Sequence, residues 1–272
     1  LYLVDVGVAG DLWSVPVTPE TPLVRAKVRA GTRNLRREPA MTEAELEAAL
    51  AVGDETARRA LAAGADVLLL GEVGIGNTTA AAALVCAFTG AAPADVVGRG
   101  TGVAEEVVAR KRRVVEDALA RPRGESPRAI FASLGGLELA AQAGFLLAGA
   151  RARVPVILDG FLSGASALFA CALEPEARAY LLASHASAEP GASRALQHLD
   201  LEPLLRLALR LGEGTGALLA LDLLRSAMDV QRGMATFATA GVPGLAGADL
   251  AGQVPADRPS RSGLSPVPGE PR

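Results

Sequence analysis

Asp66-Val67-Leu68-Leu69-Leu70-Gly71-Glu72-Val73-Gly74-Ile75-Gly76-Asn77-Thr78-Thr79 runs from an apolar stretch through three glycines into Ala80-Ala81-Ala82-Ala83. The apolar run is too short for a helix and reads as a strand buried on both faces. The alanines that follow have high helix propensity. Between them, glycines let backbone N–H groups come close to an anion, and the helix start adds partial positive charge. Asn77, Thr78 and Thr79 offer side-chain caps or phosphate donors. No Gly-Lys-Ser/Thr ends the turn, so it is not a P-loop. The plain alternative is a tight strand–helix turn with Asn77 as its N-cap. Glu72 would repel a phosphate unless it faces another part of the ligand. Ribose hydroxyls are natural donors to a carboxylate so placed, and a solvated strand-end glutamate is the plain alternative.

The same alternation extends in both directions. Leu1–Val8 reads as a strand, and residues 11–39, with their prolines and arginines, read as an irregular surface excursion. Thr42 and Glu45 form a capping-box pattern that starts a helix through Leu61, and Gly64 ends it. Helices are expected over Asn77–Phe88, Glu105–Leu119, Leu137–Ala150, Phe161–Ala172, Gly191–Leu199, Leu204–Leu209 and Thr215–Arg232. Further strands are expected at Val154–Leu158 and Tyr180–Ala183, with a loop over Arg121–Pro127. Apolar strands alternating with helices predict an α/β fold. It would be a mostly parallel, Rossmann-like sheet flanked by helices. Residues 1–240 read as the folded domain, and 241–272, rich in Pro, Gly and Ser, read as a disordered tail.

Two more glycine turns stand out. Gly98-Arg99-Gly100-Thr101-Gly102 is followed by Lys111, one of only two lysines in the chain. A lysine beside a glycine turn can act as a point charge on phosphate, and an ordinary surface lysine is the plain alternative. Leu211-Gly212-Glu213-Gly214-Thr215-Gly216 presents Glu213 between glycines. Such a carboxylate can act as a general base if burial raises its pKa, or it can simply stabilise the helix that follows. Asp159 and Ser184 stand at the ends of predicted strands, where open α/β sheets place their ligands, although either residue alone is more often loop chemistry than site chemistry. Gly135-Gly136-Leu137-Glu138 reads either as a fourth backbone turn or as close helix packing.

Composition narrows the function. The 272 residues are half hydrophobic and carry a formal net charge of −3, with no basic stripe and few aromatics. That argues against nucleic-acid binding. Cys86 and Cys171 lie in apolar runs and read as buried free thiols. His185 and His198 lack partners at metal-ligand spacing, so no metal is expected. No segment approaches the roughly 20 apolar residues of a membrane span, and no signal peptide is seen, which points to the cytoplasm. The chain opens on Leu1 and reads as a piece of something longer.

Taken in order, Gly71–Ala81, Val97–Gly102 with Ala109-Arg110-Lys111, Gly135–Gly144, Val154–Phe161, Ala183–Gly191, Leu209–Leu221 and Met234–Phe237 resemble the nicotinate-nucleotide–dimethylbenzimidazole phosphoribosyltransferase family. The resemblance runs from about Val4 to Phe237. It implies a parallel-sheet α/β domain with a smaller helical subdomain, incomplete here, and a homodimer. It implies transfer of ribose phosphate from nicotinate mononucleotide to 5,6-dimethylbenzimidazole in assembly of the cobalamin nucleotide loop, with no cofactor. Glu213 matches the family's base and Glu72 a carboxylate placed for the ribose. Gly74, Gly76, Asn77, Thr78, Thr79, Gly100 and Lys111 match phosphate-binding segments. Gly212, Asp159 and Ser184 fall in segments near the substrate. Family members carry a long stretch before the strand that here begins at Leu1, and it lines the base pocket. A non-catalytic nucleotide-binding remnant is the competing reading.

Overall fold

A computed structural model describes residues 1–12, 17–18, 22–100, 102–237 and 239–241. Two parallel sheets are present among them. β1 (Leu3–Asp5) pairs with β2 (Leu23–Arg25). β3 (Leu68–Leu69), β4 (Val156–Leu158) and β5 (Leu181–Ala183) form the second sheet, with β4 in the middle. The helices are α1 (Glu43–Ala62), α2 (Asn77–Thr89), α3 (Pro93–Val96), α4 (Glu105–Ala120), α5 (Pro127–Leu134), α6 (Leu137–Arg151), α7 (Phe161–Leu173), α8 (Pro190–His198) and α9 (Thr215–Gly233). A 3-10 helix spans Pro175–Tyr180.

The expected Rossmann-like sheet is therefore corrected: the described chain is predominantly helical, and each strand is two or three residues long. Only part of each apolar run pairs: Leu68–Leu69 within 66–70, Val156–Leu158 within 154–158 and Leu181–Ala183 within 180–183. Most of the buried apolar surface lies instead between helices. Small residues make this possible. A methyl group on Gly53 of α1 would stand 1.8 Å from the carbonyl oxygen of Ala141, and one on Gly144 of α6 would stand 2.0 Å from that of Leu50. The two helix backbones thus touch directly, at positions where no larger side chain fits. Phe131 of α5 stacks on Phe169 of α7 with ring centroids 4.2 Å apart, an arrangement worth about 1 kcal/mol beyond area burial.

Local expectations fared unevenly. Thr42 and Glu45 close the capping box at the start of α1, and α2, α4, α6, α7, α8 and α9 begin within a residue of their predicted starts. The helix expected over Leu204–Leu209 does not form. Leu204 and Leu205 donate to the carbonyls of Ala183 and Ser184, and Ala186 and Ala188 donate to those of Leu205 and Leu209. The segment instead runs beside the residues that follow β5, with a bridge between Leu205 and His185 and a left-handed residue at Ala208, because backbone pairing there outweighs a short run of leucine propensity. β2 formed inside the stretch read as irregular, and α5 formed from Pro127, the last residue of the expected loop, over residues for which no element was expected.

The chain divides into two compact units, Leu1–Ser226 and Ala227–Arg272. The second contains the last turns of α9 and a turn in which Thr239 Oγ1 accepts from the Thr236 amide at 2.8 Å. The expected tail, Gly241 excepted, lies outside the described residues. Among the described residues no helix is long and apolar enough to cross a membrane.

Candidate functional site

β3, β4 and β5 are parallel, so their C-terminal ends open on the same edge. That edge carries Gly71 and Glu72 after β3, Asp159 after β4, and Ser184 and His185 after β5. A small parallel sheet suffices to gather these residues; the large one was not needed.

Glu72 is the centre of the first group. Its Oε2 accepts from the Asn77 side-chain amide in the first turn of α2. A methyl group on Gly74 would stand 2.5 Å from that same amide nitrogen, so the loop closes tightly over Asn77. Gly71 is held from behind: its carbonyl accepts from Gln142 at 3.2 Å, and Gln142 in turn accepts from Ser166 at 3.1 Å. Burial pushes the Glu72 carboxyl up from 4.5 to about 7, with help from the negative charges of Glu138, Asp159 and Glu213 and against the Asn77 bond. Burial also raises the Glu138 carboxyl at the start of α6.

The Glu213 turn meets this group. A methyl group on Gly71 would lie 2.9 Å from the Gly214 nitrogen, and one on Gly212 would lie 3.2 Å from Glu72 Oε1. Gly212, Glu213 and Gly214 have φ of 80°, 60° and 81°. Glycine adopts that left-handed region freely, whereas Glu213 does so at a cost of about 1–2 kcal/mol. Glu213 itself is exposed, whereas Glu72 is half-buried.

The second group gathers at Thr78, the next residue of the first turn of α2. Lys111 Nζ donates to Thr78 Oγ1 and to the carbonyl of Gly98, each at 3.0 Å. A methyl group on Gly100, whose φ is 55°, would stand 3.2 Å from Thr78 Oγ1 and 3.5 Å from Lys111 Nζ. Burial lowers the Lys111 pKa and the charge of Glu189 opposes the shift. Gly76 begins α2 with no side-chain cap. Thr79 follows in that same first turn, its amide donating to the carbonyl of Gly76 at 3.1 Å. The cradle also contains residues that the sequence reading passed over. Arg210 donates to the carbonyl of Gly100 at 2.6 Å. Glu189 Oε2 is buried with no hydrogen-bond partner. Gln142 was visible in principle as an amide within an otherwise apolar stretch of α6, where a buried polar group demands a partner. Arg210 carried no such signal.

Two expected ligand residues face inward. Asp159 is 6% exposed and Ser184 fully buried. Ser184 Oγ donates to the backbone carbonyl of Asp159 at 2.5 Å and lies 2.9 Å from His185 Nδ1. Burial lowers the His185 pKa, which keeps its ring neutral near pH 7. Cys86 and Cys171 are free thiols whose pKa burial raises to about 11, so neither is an activated nucleophile. Among the described residues no group of three or more His, Cys, Asp or Glu is placed to hold a metal.

Residues 1–242 match the family described as phosphoribosyltransferase. The chain is 52% identical to the nicotinate-nucleotide–dimethylbenzimidazole phosphoribosyltransferase of Chromobacterium violaceum, over 90% of this chain and 70% of that one. It is 52% identical to that of Thermus thermophilus, over 89% and 71%. A crystal structure of CobT from Thermus thermophilus superimposes with a TM-score of 0.84 at 52% identity, covering 89% of this chain and 71% of the other.

Proposed function

The chain belongs to the nicotinate-nucleotide–dimethylbenzimidazole phosphoribosyltransferase family, and from that membership we propose how its own residues carry out the transfer. The reaction converts nicotinate mononucleotide and 5,6-dimethylbenzimidazole to α-ribazole 5′-phosphate and nicotinate. The observation that carries the reading is the pair of groups gathered at the α2 start. Thr78, Gly100 and Lys111 form a cationic cradle. Asn77 holds Glu72, which the backbone of the Glu213 turn approaches at Gly212.

The 5′-phosphate sits against Lys111, Thr78, Thr79 and the uncapped amides of Gly76 and Asn77. Gly100 keeps a side chain out of its way beside Thr78 and Lys111, and Gly74 leaves room for the Asn77 amide against Glu72. Glu72 faces the ribose hydroxyls. The exposed apolar side chains of Val73, Ile75 and Leu211 border the two carboxylates and suit a flat aromatic base. One imidazole nitrogen attacks C1′ from the face opposite the pyridinium, the bond to nicotinate breaks, and the configuration inverts from β to α. The imidazole proton passes to Glu213. Because the leaving ring is already cationic, it departs as neutral-ring nicotinate without acid catalysis. Holding C1′ and the base in line supplies most of the rate.

One observation favours a second assignment of the base. The Glu72 carboxyl, at about 7, is tuned to neutrality, where a general base works best, whereas Glu213 is exposed. The pH profile of kcat/KM separates the two. Nicotinate and α-ribazole phosphate are quantified by chromatography for the chain, Glu213→Gln and Glu72→Gln. If Glu213 is the base, its variant loses most of the turnover, while Glu72→Gln raises KM for the mononucleotide. If Glu72 is the base, Glu72→Gln abolishes the acidic limb of the profile near pH 7. Full activity in both variants removes the base from the mechanism.

The chain also self-associates in this reading. Leu207, Leu211, Leu218, Leu219 and Leu223 are all exposed, in line with a homodimer. The proposed compartment is the cytoplasm.

A further inference from the structure

Both side-chain oxygens of Asp159 are occupied by the backbone of the Glu213 turn. Oδ1 accepts from the amides of Gly216 at 2.9 Å and Ala217 at 3.2 Å, and Oδ2 accepts from the amide of Gly214 at 3.2 Å. The Gly216 and Ala217 amides lie in the first turn of α9 and have no partner inside the helix, so a carboxylate from the end of β4 caps a helix far along the chain, and bonds the Gly214 amide 55 residues on. The cap is itself fixed. The Asp159 carbonyl accepts from Ser184 Oγ, and His185 lies directly under the start of α9, where a methyl group on Gly216 would stand 2.0 Å from Nδ1. Glu213, in the left-handed region, lies next to the bonded Gly214. A strained residue persists only where its surroundings over-determine it.

We infer that Asp159 is a positioning residue rather than a ribose ligand: it clamps the Gly212–Gly216 turn and acts on the reaction through the placement of Glu213. Ser184 and His185 brace the clamp. This rests on the reading of Glu213 as the proton acceptor.

Asp159→Asn is the informative change. An asparagine can keep the Oδ1 bonds to Gly216 and Ala217, but it turns an NH2 group against the Gly214 amide. The turn loosens beside Glu213 while the cap remains. Three measurements are made on the full chain: kcat and KM for the mononucleotide, the same in a Glu213→Gln background, and amide exchange by mass spectrometry. The expected result is a kcat loss of roughly 100-fold, typical of a catalytic group displaced by about an ångström, with KM unchanged. In the Glu213→Gln background the second change adds nothing further, because both act at one point. Exchange over residues 211–217 speeds up, and that over α6 does not. Should Asp159→Asn fail to fold, Asp159→Ser, with a hydroxyl cap for a single amide, gives the same comparison. A raised KM with kcat intact would make Asp159 a substrate ligand and overturn the inference. So would losses that multiply with those of Glu213→Gln, or unchanged exchange over 211–217. Full activity of Glu213→Gln sinks the base assignment alone, and the exchange data still decide the clamp.

Discussion

Glu72 carries a carboxyl that the fold holds at about 7, chiefly by burying it. Raising an acid's pKa in the folded chain above its unfolded value means that folding favours the protonated form. That contribution is fully present below about 4.5, the ordinary value, and is lost as pH rises to about 7. Glu72→Gln removes the titration. The melting temperature of the variant relative to the unmodified chain is therefore higher at pH 8 than at pH 5; a difference that does not change with pH excludes burial as the cause. Burial disfavours the charge of Lys111 as well. The lysine donates two hydrogen bonds in a half-buried cradle, and charged hydrogen bonds of this type are worth about 1.5–3 kcal/mol. Lys111→Met is expected to raise KM for the mononucleotide by roughly 10- to 100-fold, read in steady-state kinetics, with kcat changed less. At this scale the sequence was informative about chemistry and blind to direction. Glycine spacing marked the Glu72, Gly100 and Glu213 turns, because close backbone approach requires glycine. It could not tell that Asp159 and Ser184 face inward, since a strand-end Asp looks the same whether it meets a ligand or a helix start.

Close packing decides what the helices do, and α1 and α6 set the limit. Their backbones meet at Gly53 and Gly144, where an added methyl group would fall 1.8 and 2.0 Å from a carbonyl oxygen. Neither neighbour is a flexible side chain that could swing aside. Gly144→Ala must separate the two helices, an overpacking cost of about 1–3 kcal/mol. The expected loss in melting temperature is on the order of 3–10 °C for a chain of this size, measured by calorimetry. Gly10→Ala, with nothing within 4 Å, is the control and leaves the melt unchanged. The same packing explains which elements were legible. Helices with a cap or a glycine start, such as α1 and α2, declared themselves locally. The stretch over 204–209 did not, because its partner, the end of β5 with the residues that follow it, is a tertiary neighbour. Strand lengths were also out of reach: Asp66–Leu70 is apolar after its first residue, yet only Leu68 and Leu69 pair. The period-free apolar run shows burial, not how many residues the neighbouring strand reaches.

For the molecule as a whole, the question is what covers the apolar side chains that the fold leaves outside. Leu218, Leu219 and Leu223 on α9 are 60%, 47% and 46% exposed. They stand one, four and five residues apart in the pattern that lines one helix face, and Leu207 and Leu211 add to the exposed apolar surface. A monomer rarely leaves so much apolar surface in water without use, and the homodimer proposed above would cover it with a second copy of the chain. Sedimentation equilibrium on the chain should give about twice the mass of 27.7 kDa. Leu219→Glu, which puts a charge at the centre of the row and touches none of the residues around Glu72 or Lys111, should shift it to the monomer. If the variant stays dimeric, the contact lies elsewhere. If the unmodified chain is monomeric at tens of micromolar, the row is left to another partner and the homodimer reading fails.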